Sequence, residues 1–167
     1  MLFEMLLNVY ALLFQAMLVI VLLFFVLKQN KSERTKRKDK SLYYIAKWNS
    51  SEHINAELKI ILHNYSEEMN SDRLINGLNE NDEYIYHVIF LLNFFEEMSI
   101  AIDNNLTDEM MLIKNFGSTF NRIYEKSEKI VYFLRKIRGN DNLYRNLEKM
   151  YGKWSFKYML SDSKRYS

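Results

Sequence analysis

Val9–Leu27 reads VYALLFQAMLVIVLLFFVL, and Lys28–Lys40 follows it as KQNKSERTKRKDK. The first stretch is apolar apart from Tyr10 and Gln15. At a rise of about 1.5 Å per residue it reaches ~28 Å, close to the ~30 Å hydrocarbon layer of a bilayer. Met1–Leu27 contains no Lys or Arg, whereas seven of the 23 basic residues crowd into Lys28–Lys40 against only Glu33 and Asp39. A cleaved secretory leader would carry a basic start, a shorter apolar run and small residues at its cleavage site. Glu4 near the start and Phe24-Phe25-Val26-Leu27-Lys28 at the end supply none of these. The expectation is a retained single-pass helix over 1–27. The basic cluster on its C-terminal side puts the N-terminus outside and the rest in the cytoplasm.

Three polar residues share one side of this helix. Glu4, Asn8 and Gln15 fall within about 40° of one another at 100° per residue, with Ala11 beside them. In lipid such a stripe is costly. Turned toward copies of the same chain, it can hydrogen-bond across helices or line a water-filled passage. The alternative is that Glu4 and Asn8 lie at the outer headgroups and only Gln15 is embedded. Residues 28–40 are read as a basic juxtamembrane linker or as a helical extension of the span, in contact with membrane lipid; each basic residue near an anionic leaflet contributes on the order of 1 kcal/mol.

The full chain has 167 residues, a formal charge of +2, no cysteine, no proline and four glycines. The lack of cysteine excludes a disulfide scaffold, a thiolate metal site and a cysteine nucleophile. So little Gly and Pro is poor for a turn-rich β fold and good for long helices. Residues 41–167 suffice for one domain. Helical signals recur there: Ser41–Trp48; Glu52–Met69 capped by Ser51, with a stripe of Ile54, Leu58, Ile61, Leu62 and Tyr65; a short piece at Leu74–Leu78; Asp82–Asp103; Asp108–Arg138 capped by Thr107; and Asn142–Lys153 capped by Asp141. Gly139-Asn140 ends the long helix, and Gly117 marks a kink or a close-packing point within it. The predicted fold is all-α: one transmembrane helix followed by a cytosolic antiparallel bundle of about five helices.

Asp82–Asp103 is apolar nearly all round, as the central helix of a bundle is. Asn93, Glu96 and Glu97 interrupt it, and a carboxylate on an apolar face must be paired, protonated or functional. Arg122 joins them as a candidate partner in a buried polar cluster, beside Lys114 and Lys126. The histidines are His53, His63 and His87. His53 with Glu57 and His63 with Glu67 have one-turn spacing, but neither forms a HExxH pair, so no metal is expected. The pattern sets His53, Glu57, Asn64 and Glu67 on a solvated face opposite the Ile/Leu stripe, and makes His87 a buried imidazole. No phosphate-binding glycine loop, dinucleotide fingerprint or nucleophile elbow occurs, so no cofactor and no enzymatic activity are expected. Lys129, Arg135, Lys136 and Arg138 suit the C-terminal end of a helix dipole, or an anion or RNA contact. Tyr151, Trp154, Phe156 and Tyr158, mixed with Lys149, Lys153, Lys157, Lys164 and Arg165, suit a bilayer surface, a nucleic-acid strand or a plain docking helix.

Leu92–Ile102 (LNFFEEMSIAI), followed by Phe116-Gly117, resembles a bacterial family known as domain of unknown function 4760. The resemblance implies a membrane helix, a basic stretch and a small helical domain, and implies no activity. The layout is also similar to the small membrane-anchored accessory proteins of type VI-B CRISPR loci, which implies a pore in RNA-triggered antiviral defence and an RNA or CRISPR effector as partner. Some of those are HEPN-like, with an Arg four to six residues ahead of a His; this chain lacks that spacing before all three histidines. The expectation is an oligomeric membrane protein that forms a passage. A tethered binding or sensor module for a protein or nucleic-acid ligand is its rival, and a HEPN-like ribonuclease ranks last.

Overall fold

The computed structural model describes residues 2–62 and 83–163. Five α-helices, and no strand, occur among the described residues: α1 (Leu2–Trp48), α2 (Ser51–Leu62), α3 (Glu83–Asp103), α4 (Glu109–Arg138) and α5 (Arg145–Ser163). The expected helical segments at 63–69 and 74–78, with His63, Asn64, Tyr65 and Glu67, lie outside the described residues, as do the side chains of Glu4 and Asn8.

The apolar stretch does not end in a linker. α1 is one helix of 47 residues, roughly 70 Å long. Residues 28–40 extend it because Lys, Arg, Gln and Glu lose little rotamer freedom in a helix and no Gly or Pro intervenes. Thr35 turns its hydroxyl back to the Lys31 carbonyl at 3.0 Å, within the same ladder. Only the last two turns pack on the bundle: Ser41, Tyr44 and Trp48, spaced i, i+3 and i+7, are buried. Tyr44 and Trp48 meet Glu97 and Phe94 in turn, so α1 runs antiparallel to α3.

α3 is the central helix that its composition predicts. Val88, Leu91, Leu92, Phe94, Phe95, Met98 and Ala101 are all buried; α2, α4 and α5 pack against it, and α1 meets it through Tyr44 and Trp48. An aromatic chain holds the layers together: Phe95 lies 5.4 Å from Trp48 and 5.0 Å from Phe120, and Phe120 lies 5.4 Å from Trp154, all measured between ring centroids. Such pairs add about 0.5–1.5 kcal/mol each to the burial of their area. α4 and α5 are antiparallel, with Glu109 against Lys153 at one end and Arg135 against Glu148 at the other.

Three helix starts differ from the expectation. α2 starts at Ser51, with the Ser50 carbonyl accepting the Ile54 N–H, one residue before the start that the expected Ser51 cap implies. α4 is capped by Asp108 and not by Thr107: Asp108 is extended (φ −85°, ψ 94°) and its carboxylate accepts the Met111 N–H. α5 starts at Arg145, three residues later than the Asp141 cap implies. Tyr144 sits just before it at φ 57°, and its phenol donates to Asn93 at 2.8 Å, which holds the strained turn. Gly139 ends α4 in the left-handed conformation (φ 57°), as expected, and the Asn140 N–H closes onto the Arg135 carbonyl.

α2 is rotated from its predicted orientation. His53, Ala56 and Ile60 are buried, whereas Ile54 and Leu58 of the expected stripe are 41% and 48% exposed. His53 is drawn inward by aromatic neighbours from α1 and α3, which no local periodicity in α2 encodes.

Candidate membrane-anchoring site

Leu12–Leu27 stands clear of the bundle. Every large apolar residue along it is at least 43% exposed, and the apolar window lies entirely outside the packed core. Gln15 is exposed on it. A run this long cannot stay bare in water at reasonable cost. α3 is also long and apolar enough to cross a membrane, but more than half of it is buried by its neighbours, which marks it as a core helix.

The junction of α1 with the bundle is built from a few specific contacts. Ser41 accepts the Asp108 N–H at 2.8 Å, tying the stalk to the start of α4. Tyr44 donates to the Glu97 backbone carbonyl and carboxylate at 3.3 and 3.4 Å. Lys47 pairs with the same carboxylate at 3.0 Å. Burial and the Glu97 charge push the Tyr44 phenol well above its ordinary value, so it stays a donor at any physiological pH.

His53 completes this junction, contrary to the expected solvated face. Its ring is 4% exposed and lies 4.6 Å from Phe90, 4.8 Å from Phe94 and 5.8 Å from Trp48, with Nδ1 at 2.8 Å from the Ser50 hydroxyl. Burial, then the Lys47 charge, lower its pKa below the ordinary 6.5. The folded state therefore holds the neutral ring while the unfolded chain takes up a proton first. The stability that neutral His53 contributes is complete above the unfolded pKa of about 6.5 and is lost as pH falls from there toward the depressed folded value. Melting temperatures of the wild type should drop between pH 7.5 and 5.5. The His53→Phe variant should show a shallower drop, and equal slopes would refute the assignment.

The expected cluster of Asn93, Glu96, Glu97 and Arg122 is not one cluster. Asn93 and Glu96 hold the start of α5: Glu96 accepts the Leu147 N–H at 2.8 Å and the Asn146 amide at 3.0 Å. It is thus an N-terminal cap supplied by a different helix, not the partner of Lys114, Arg122 or Lys126. Glu97 instead receives Tyr44 and Lys47 of α1, as above. Arg122 pairs with Glu57 at 3.0 Å, and Thr119 donates to the same oxygen at 3.2 Å. Glu57 is therefore half-buried between α2 and α4 and not on a solvated face.

The basic group at the end of α4 also divides. Arg135 is turned inward, donating to the Leu143 carbonyl and to Glu148, both at 2.8 Å. It is committed to the α4–α5 turn and is not an anion contact. Lys129, Lys136 and Arg138 are exposed. His87 is largely buried with Nε2 3.5 Å from Glu83; it lies nine residues, roughly 13 Å of helix, from Glu96. Of the C-terminal aromatics, Trp154 is core, donating to Glu109 at 3.1 Å, and Tyr151 stacks on Tyr124. Those two dock; Phe156, Tyr158 and the cations Lys157, Lys164 and Arg165 lie outside the described side chains. Among the described residues, no three His, Asp or Glu side chains converge as a metal site.

The contacts that sequence reasoning missed are Ser41 with Asp108 and Glu96 with Leu147. A small hydroxyl on the stripe that buries Tyr44 and Trp48 was the one local sign of the first. The second joins residues 51 positions apart and leaves no local sign.

No curated protein and no solved structure matches the chain. One family matches residues 6–154, taking in the apolar segment, the basic stalk and the bundle as far as Trp154. It is described as a domain of unknown function, a description that assigns no activity. The apolar helix and the bundle that receives it thus fall within one match, and the chain belongs to the family of domain of unknown function 4760 (DUF4760).

Proposed function

We propose that this protein is a single-pass inner-membrane protein, N-terminus outside and bundle in the cytoplasm, that self-associates through α1 and opens or perturbs the bilayer. The observation that carries the anchoring is the bare apolar surface of Leu12–Leu27, continuous with a helix whose far end is locked into the bundle. The orientation follows from the basic residues 28–40. Self-association is supported by Glu4, Asn8 and Gln15 on one side of the helix, which a ring of copies would satisfy equivalently. A ring of carboxylates at one mouth would favour cations. A role in antiviral defence stands on the layout it shares with CRISPR-associated membrane proteins.

A second reading is a tethered module that binds a protein or nucleic acid. Its support is the exposed trio Lys129, Lys136 and Arg138 at the end of α4, about 45 Å of helix from the start of α4 beside the stalk. The two readings part on size and leakage. The full chain extracted in mild detergent should run as a multimer, and vesicles carrying it should release a trapped small cation. Gln15→Leu should reduce that release severalfold. A monomer that leaves vesicles tight defeats the passage and leaves the tether.

A further inference from the structure

The face of α1 that packs on the bundle continues past the bundle. Trp48, Tyr44 and Ser41 are buried; the next two positions on that face, Arg37 and Arg34, are arginines. Here the stalk leaves the core and faces the α3–α4 turn across two hollows. One, of about 300 Å³, is lined by Arg34, Arg37, Asn105, Thr107, Asp108, Glu109 and Met110. The other, of about 550 Å³, has Glu33, Lys36, Arg37, Asn105 and Leu106. Two of the lining carboxylates are already engaged: Asp108 caps Met111, and Glu109 binds Lys153 and Trp154. Among the described residues no acidic side chain pairs with Arg34 or Arg37. Thr107 is 6% exposed, lines the smaller hollow, and its hydroxyl has no hydrogen-bond partner among the described residues. Leu106 and Met110 flank the same place at 55% and 57% exposed.

The rigid helix fixes the height of this feature. Arg34 and Arg37 follow Leu27 by seven and ten residues, about 10 and 15 Å along the axis. The headgroup layer occupies about 5–7 Å beyond the hydrocarbon, and long basic side chains extend back toward it. We propose that this cleft is a seat for the headgroup of an anionic phospholipid of the cytoplasmic leaflet. Arg34 and Arg37 reach back to hold the phosphate, Lys36 adds charge, and Leu106 and Met110 face the outer edge of the headgroups. The bundle then lies against the membrane by its α3–α4 turn. The charge of the stalk selects lipid as the occupant, and so does the continuity of the cleft with the apolar helix.

This proposal rests on the spanning helix, so the test reads both. The chain has no cysteine, which lets single labels report position. Val19→Cys, Leu106→Cys and Ile137→Cys variants of the full chain are labelled with an environment-sensitive fluorophore. They are reconstituted in vesicles of phosphatidylcholine with or without phosphatidylglycerol, and quenchers are placed in the acyl chains, on the headgroups or in water. The Val19→Cys label should be reached only from the acyl chains and the Ile137→Cys label only from water. The Leu106→Cys label should be quenched from the headgroups in phosphatidylglycerol vesicles. Adding Arg34→Gln and Arg37→Gln should cut that quenching on the order of tenfold, as should high salt. A Val19→Cys label open to water overturns the span and the seat together. A Val19→Cys label in lipid with the Leu106→Cys label as wet as Ile137→Cys overturns the seat alone.

Discussion

Replacing Trp48 by alanine should lower the stability of the bundle by about 3–5 kcal/mol. Trp48 is 8% exposed, and its ring touches four others: Phe94 and Phe95 at 5.4 Å, Phe116 at 5.6 Å and His53 at 5.8 Å between centroids. Three helices and the last turn of α1 meet on this one side chain, so the cavity left behind cannot close without moving the stalk. For a domain of this size the loss corresponds to a fall of roughly 10–20 °C in melting temperature. Trp48→Phe keeps most of the contacts and should fall by less than half as much. Thermal unfolding of the full chain in detergent, followed by near-ultraviolet circular dichroism, measures both. A fall of under 2 °C for Trp48→Ala would show that α1 is not part of the cooperative unit.

Glu96→Ala should cost about 2 kcal/mol, far above the usual effect of a polar substitution on a half-exposed position. The carboxylate takes two donors, one of them an otherwise orphaned N–H in the first turn of α5, where the helix dipole also favours negative charge. Glu96→Gln keeps an acceptor but loses the charge, and should fall between the two. Hydrogen exchange gives the local readout: the Leu147 amide should exchange roughly 30-fold faster in Glu96→Ala, which is ~2 kcal/mol expressed as a rate. Unchanged exchange at Leu147 with an unchanged melting temperature would mean that the cap contributes nothing.

What could be read from the sequence depended on whether the deciding partner was local. α3 is apolar all round, and α1 is apolar for its first half and free of helix breakers for its second, so both helices follow from their own residues. The end of α4 follows from Gly139, which takes the left-handed conformation that other residues resist. The orientation of α2 did not follow. Its Ile and Leu residues suggest one face, but Trp48, Phe90 and Phe94 hold His53 inside. The start of α5 did not follow either, because its cap comes from Glu96 on α3. The carboxylates on the apolar helix were rightly singled out as needing partners, but those partners are a backbone amide, an Asn side chain, a phenol and Lys47 of α1, not Lys114, Arg122 or Lys126.

α1 has no soft joint between its apolar half and the bundle, and that has a mechanical consequence for the proposed anchor. Trp48 lies 21 residues past Leu27, some 31 Å farther along a stiff rod. A change of about 10° in the inclination of the apolar segment swings that end sideways by roughly 5 Å. If the apolar half is embedded as proposed, thinning or thickening of the lipid layer, which alters inclination, would reach the bundle as a displacement on the scale of a helix radius. The proposed anchor would in this respect be a lever, with the row of lysines and arginines as its fulcrum.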